Sequence, residues 1–321
     1  MSLTTTREDL RAMVVVERAE MSDGVAEFVL AAADGGALAP WEPGAHIDLV
    51  VEEVVRQYSL CGDPEDGTRW RIGVLREPAG RGGSQLIHDT LEPGSRVHVR
   101  GPRNNFALVE ASRYVFIAGG IGITPLLPMI RTVEKRCVPW TLVYGGRSRS
   151  TMAFLPELAT YGDAVQLYPQ DEAGLPDLDA VLAHPEAATA VYCCGPEPLL
   201  EAVRTRCLSW PPDALRVERF SRQATDPGAM VEDQPVEVVL SRSGVTVEVP
   251  ADRSILEVAV EAGADALFSC EEGICGSCEV TVLEGVPDHR DAVLDDADRA
   301  AGDRMMICVS RSVGPRLVLD L

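Results

Sequence analysis

Over the first hundred positions apolar and polar residues alternate in short runs. Such runs occupy 13–17, 26–30, 47–51, 70–75 and 96–100, each bounded by turn-forming residues, and together they predict an N-terminal antiparallel β-barrel. From about Tyr114 to Phe220 the pattern changes. Continuous apolar runs at 114–118, 140–144, 165–168 and 190–194 are separated by segments long enough for crossover helices, which predicts a central α/β domain with a parallel sheet. Alternation then returns. Residues 236–240 and 245–249 flank Ser241-Arg242-Ser243-Gly244 as a hairpin, and Ser254 with Glu257 three residues on predicts a capping box opening a helix to about Ala262. The periodicity fails at 221–229, which reads as a linker, and a second joint is expected near 101–105.

The length of 321 residues is too great for one ordinary core, in keeping with two or three domains. A net charge of -21 argues against a nucleic-acid partner. The charge is uneven: residues 231–321 carry 19 acidic and 7 basic side chains, which suits docking of an acidic domain on a basic acceptor, or simply a solvated surface. The first nine residues do not read as a secretory leader. The uncharged stretch 114–130 is short for a membrane span and is broken by Gly119, Gly120, Gly122, Pro125 and Pro128. A soluble cytoplasmic protein with no membrane partner is expected.

Candidate chemistry is densest near the C-terminus. Cys270, Cys275, Cys278 and Cys308 follow the C-x₄-C-x₂-C…C spacing of a plant-type two-iron, two-sulfur cluster, whose soft ions suit thiolates. Gly273 and Gly276 let backbone curl around an inorganic core, and the apolar run 305–309 predicts a strand delivering Cys308. Two alternatives fit less well. Nine cysteines is an odd count for a disulfide scaffold, and zinc sites ordinarily pair two C-x-x-C knuckles where this chain has one.

Three further signals accompany the cysteines. In Arg56-Gln57-Tyr58-Ser59-Leu60, alternation puts Arg56, Tyr58 and Leu60 on one face, so that a ring could cover a flavin and a guanidinium neutralise its phosphate. Gly80-Arg81-Gly82-Gly83-Ser84 precedes a short helix expected near Gln85 and offers backbone N–H groups to an anion. Gly119-Gly120-Ile121-Gly122-Ile123-Thr124-Pro125 follows an apolar strand where a dinucleotide's pyrophosphate can approach, although it is not the G-x-G-x-x-G fingerprint. Cys193-Cys194-Gly195-Pro196 closes another parallel strand, placing Cys194 either against a nicotinamide ring or in the core.

As a set and in this order, these motifs resemble the phthalate dioxygenase reductase family over essentially the whole chain. The resemblance implies a flavin-binding barrel at 1–104, an NAD(P)-binding domain at 105–226 and a β-grasp plant-type ferredoxin domain at 227–321. It implies FMN, held by Arg56, Tyr58 and Ser59 along the ring and ribityl chain and by Arg81, Gly82, Gly83 and Ser84 at the phosphate. Gly120, Thr124, Cys194, Gly195 and Pro196 would line the nucleotide path, with Glu218 and Phe220 near the ring. No acid or base is required, because the reaction is hydride transfer to flavin followed by single-electron transfer to the cluster. After Tyr144 the chain reads Gly145-Gly146-Arg147-Ser148-Arg149-Ser150, with no acidic residue for a free ribose 2′-hydroxyl. Arg147 and Arg149 therefore keep NADPH open beside the favoured NADH. The implied role is a monomeric reductase for a Rieske-type oxygenase or O-demethylase. The alternatives are a cytochrome P450 redox partner and, from another class, a non-catalytic iron–sulfur sensor.

Overall fold

The computed structural model describes residues 10–321 apart from 53, 79, 81, 221–233 and 295. Arg81, the expected linker at 221–229 and the first nine residues lie outside the described residues. The chain divides into two compact units, one ending at Arg219 and the other running from Phe220 to Leu321.

The first unit opens with six antiparallel strands: β1 Arg11–Ser22, β2 Val25–Ala32, β3 Ala45–Val51, β4 Val54–Ser59, β5 Arg69–Leu75 and β6 Arg96–Asn104. They are ordered β4-β3-β6-β1-β2-β5, with helix α1 (Gly83–Thr90) between β5 and β6. Their inward residues, among them Phe28, Ile47, Leu49, Trp70 and Val99, form one core. The helix expected near Gln85 starts two residues earlier, with Gly82 in the left-handed region (φ 79°) turning the chain into it.

The same unit continues into a parallel sheet of β7 Arg113–Gly119, β8 Trp140–Gly146, β9 Val165–Pro169, β10 Thr189–Cys194 and β11 Leu215–Glu218, ordered β11-β10-β7-β8-β9. Helix α2 (Leu126–Lys135) buries Leu126, Leu127, Met129, Ile130 and Val133 against one face, while Leu200 and Val203 of the helix Glu197–Arg206 pack on the other. Strand order reverses between β7 and β10. That is the switch point where open α/β sheets bind ligands, beyond the carboxyl ends of their strands. The four apolar runs become β7, β8, β9 and β10; β11 is too short and too polar to announce itself. Barrel and sheet are tied by Arg71 Nη2 to Glu157 (2.7 Å) and by Arg131 to the Gly62 carbonyl, while Glu27 holds Arg71 Nε from within the barrel (3.1 Å) and Arg131 also pairs with Glu157.

In the second unit β12 Val236–Leu240 and β13 Val245–Val249 form the expected hairpin. With β14 Glu279–Glu284, β16 Arg304–Met306 and β18 Arg316–Leu319 they make a mixed sheet ordered β13-β12-β18-β14-β16, while β15 Pro287–Asp288 pairs with β17 Arg311–Ser312. The helix Ile255–Glu261 lies over a core containing Val238, Ile255, Met305 and Leu317. Its capping box forms as expected, with the Glu257 N–H donating to Ser254 Oγ (3.1 Å) and the Ser254 N–H to Glu257 Oε2 (2.8 Å). Ser254→Ala should therefore lower the stability of this unit by about 1 kcal/mol, read as a shifted urea midpoint at unchanged slope.

One expectation is corrected. Cys308 does not lie on a strand: β16 ends at Met306, and the Ser310 N–H returns to the Met306 carbonyl (3.0 Å), so Cys308 sits in a turn. The thiol must point toward a loop, which continuing the sheet ladder would prevent. Among the described residues no helix is long and apolar enough to cross a membrane.

Candidate electron-transfer site

The cysteine loop is built by backbone constraint. Gly273 (φ 70°) cannot carry a side chain, because a Cβ there would lie 2.5 Å from Val309 Cγ2 and 3.1 Å from Asp291 Cα. Asp291 is buried, its carboxylate accepting from the Val293 and Leu294 N–H groups (3.0 and 2.8 Å) and standing 3.4 Å from Ser310 Oγ. The Ala292 N–H donates to the Gly273 carbonyl (2.8 Å), so this segment buttresses both the loop and the turn bearing Cys308. Asp291 escaped the sequence reading; an aspartate two and three residues ahead of the amides it accepts from is a common turn signal.

None of the four cysteines is in a disulfide, and three of them are buried. Among the described residues no His, Cys, Asp and Glu side chains are gathered closely enough to hold a single metal ion. The sulfurs are instead linked in pairs within hydrogen-bonding reach, Cys270 with Cys275 and Cys278 with Cys308, with Cys270 also reaching Cys308. Four thiols converging from one loop and one turn, in the C-x₄-C-x₂-C…C order, fit the ligand set of a plant-type [2Fe-2S] cluster. The neighbouring Cys270, and then burial, push the Cys275 thiol upward, so the thiolates need cationic metal to coexist. Backbone N–H groups already face the sulfurs: Glu272 donates to Cys270 (3.3 Å) and Ser277 to Cys275 (3.4 Å), with Ile274 aimed at Cys270 and Gly273 at Cys308. Such donors stabilise an anionic cluster and set its potential.

In the first unit, β4 pairs with β3 so that Arg56 opposes Leu49, Tyr58 opposes Ile47 and Ser59 opposes His46, the facing that alternation predicts. The start of α1 is packed against Arg56. A Cβ on Gly83 would fall 2.5 Å from Arg56 Nε, so the glycine admits the guanidinium beside a helix N-terminus that has no side-chain cap. N–H groups and a cation converging there fit a phosphate. Ser84 Oγ accepts from the Glu77 N–H (3.0 Å), folding the glycine-rich loop back on β5. Tyr58 is half-buried, and burial pushes its phenol upward.

At the switch point the two glycine turns meet backbone to backbone. A Cβ on Gly122 would collide with the Cys194 carbonyl, and one on Gly195 would lie 2.9 Å from Gly119 Cα. Gly120 (φ 55°) opens the short 3₁₀ turn Gly120–Ile123. Thr124 is buried and donates to the Ile121 carbonyl (3.0 Å), bracing that turn, while Pro196 is exposed. Cys194 is fully buried and its Sγ lies 4.0 Å from Glu218 Oε2, which also hydrogen-bonds Ser59. Ser59, Cys194 and Glu218 thus gather from β4, β10 and β11. Burial raises the Glu218 carboxyl from 4.5 to about 8, against the opposing hydrogen bond from Ser59. Phe220 is 40% exposed at the start of the second unit. Arg147 is exposed, and Arg149 is engaged by Glu172, a partner unseen in the sequence because it comes from beyond a different strand.

Comparison with known proteins fits this architecture. Residues 116–205 match the oxidoreductase NAD-binding domain and 238–313 the 2Fe-2S iron-sulfur cluster binding domain. The chain is 46% identical over 308 residues to phenoxybenzoate dioxygenase subunit beta of Ectopseudomonas oleovorans, covering 94% of each. The crystal structure of an intact type IV self-sufficient cytochrome P450 monooxygenase is 46% identical with a TM-score of 0.90; the match covers 97% of this chain but 41% of that one. The solved structure of phthalate dioxygenase reductase, described as modular for electron transfer from pyridine nucleotides to [2Fe-2S], is 37% identical with a TM-score of 0.74, over 99% of this chain and 100% of that one. With matching barrel, parallel sheet and ferredoxin domain, the chain belongs to the phthalate dioxygenase reductase family of NAD(P)H-dependent flavin and iron–sulfur oxidoreductases.

Proposed function

We propose that the chain is the reductase component of an oxygenase system, with domains at 1–104, 105–226 and 227–321. FMN bound at the barrel would supply two-electron hydride chemistry with reduced nicotinamide, and a [2Fe-2S] cluster held by the four cysteines would supply one-electron chemistry. The residues of the chain hold and shield these groups. Arg56 and the start of α1, with Gly82, Gly83, Ser84 and Arg81, bind the FMN phosphate, while Tyr58 and Ser59 line the ring. Gly120, Thr124, Gly195 and Pro196 shape the nucleotide path, and Cys194 and Glu218 exclude water beside the reacting rings. Cys270, Cys275, Cys278 and Cys308 ligate the iron. The carrying observation is that one chain joins linked thiol pairs to a nucleotide sheet whose Cys194 and Glu218 meet Ser59 of the barrel.

The acceptor is a terminal oxygenase of the Rieske type or an O-demethylase, met in the cytoplasm by a monomer through the acidic ferredoxin domain. The likeness to a self-sufficient P450 supports a second reading, in which the acceptor is a P450 haem domain. Purified protein should be yellow-brown, contain iron and labile sulfide, and oxidise NADH with ferricyanide or cytochrome c. Both cofactors bound with no turnover would leave only the sensor reading. Reduction of a co-purifying oxygenase distinguishes the two acceptors.

A further inference from the structure

At the carboxyl ends of β8 and β9 stands a closed ion pair where the sequence offered a basic pocket. Arg149 Nε reaches Glu172 Oε1 and Oε2 at 3.2 and 3.3 Å, and Nη2 reaches Oε2 at 2.8 Å, a two-pronged fork. Glu172 sits on the single turn Gln170–Ala173 that follows β9. The loops are joined again by the Asp171 N–H on the Arg147 carbonyl (3.3 Å). The neighbouring hydroxyls are spent on one another: Ser148 caps the turn Arg149–Thr151, Thr151 Oγ1 donates to the Ser148 carbonyl (2.9 Å), and Ser148 Oγ lies 3.2 Å from Ser150 Oγ.

The end of the second strand in such a sheet is where the adenosine ribose of a dinucleotide lies. There an acidic residue accepts the free 2′-hydroxyl, or an arginine takes the 2′-phosphate. This chain brings both kinds of residue to that place and pairs them. A 2′-phosphate carries up to about two negative charges near neutral pH. To reach Arg149 it must displace Glu172 and then lie beside the freed carboxylate. The phosphate therefore finds the guanidinium fork already taken by Glu172 and a like charge beside it, two screened and modest effects that act in the same direction.

We propose that Glu172 sets the nucleotide preference of the chain, holding Arg149 closed and disfavouring adenosine 2′-phosphates, so that NADH is selected. This rests on reading the parallel sheet as the nicotinamide-nucleotide site. The test is titration calorimetry on the purified full chain with flavin and cluster in place, using 5′-AMP and 2′,5′-ADP, so that the readout is independent of turnover. Glu172→Gln should tighten 2′,5′-ADP about tenfold and change 5′-AMP much less. Glu172→Gln combined with Arg149→Ala should lose that gain, showing that it flows through the released arginine. Glu186→Gln, which removes a separate exposed partner of Arg113, should move neither ligand. An unchanged ratio in Glu172→Gln, or a gain that survives Arg149→Ala, overturns the proposal while nucleotide binding stands. Failure of both probes and of NADH to bind the unaltered chain overturns the site reading and the proposal together.

Discussion

Cys275→Ser is expected to reduce electron delivery to a one-electron protein acceptor to background while NADH continues to reduce the flavin at close to its normal rate. Cys275 is buried, linked to Cys270 and fixed by the Ser277 N–H, so the substitution removes a thiolate from the centre of the loop. Loss of a direct ligand should exceed the about 10–100-fold cost typical of a supporting residue. The effect should be selective because the residues assigned to flavin and nucleotide all belong to the first unit, apart from Phe220. Stopped-flow bleaching of the flavin by NADH, run beside cytochrome c reduction, separates the two steps. Retained ferricyanide turnover shows that the unit assigned to flavin and nucleotide has folded in the variant. Parallel loss of both steps would contradict the order of carriers.

The second large effect concerns pH. Glu218 titrates at about 8 in the folded chain against 4.5 ordinarily, because burial disfavours its charge. The folded state therefore holds this proton more tightly than the unfolded state. Its contribution to stability is complete below about 4.5 and is lost as pH rises toward about 8. Deprotonation also places a negative charge beside Cys194, at the strand end assigned to an anionic nucleotide. Taking about 10 Å and an effective dielectric near 20, that charge costs on the order of 1–2 kcal/mol, or about tenfold in affinity. Binding of ADP-ribose, which carries the anionic pyrophosphate without the cationic nicotinamide ring, should weaken through pH 8, and Glu218→Gln, which mimics the neutral acid, should flatten the profile while matching the unaltered chain at pH 6. A limb that persists in Glu218→Gln would assign the titration to another group.

These experiments draw on features that were unequally visible in the chain. The cysteine spacing and the alternation in Arg56-Gln57-Tyr58-Ser59 were legible because both are local: ligand geometry sets one, and the period-two pleat of β4 sets the other. Apolar runs marked the buried parallel strands for a similar reason. Cys308 was misplaced on a strand because apolar residues fill a buried turn as readily as a ladder. Asp291 was missed because its importance comes from Gly273, distant in sequence but close enough to forbid a side chain.

By itself, then, the sequence determined the order of barrel, parallel sheet and cysteine-bearing domain, the cluster-type cysteine spacing and the acidic character of the C-terminal third. Each follows from spacing or composition that neighbouring residues can express. Tertiary structure alone decided that Glu172 closes on Arg149, that Ser59, Cys194 and Glu218 share one point, and that the Glu218 carboxyl is driven to about 8. Charge pairing and desolvation depend on what other strands bring alongside, and no local pattern records those neighbours.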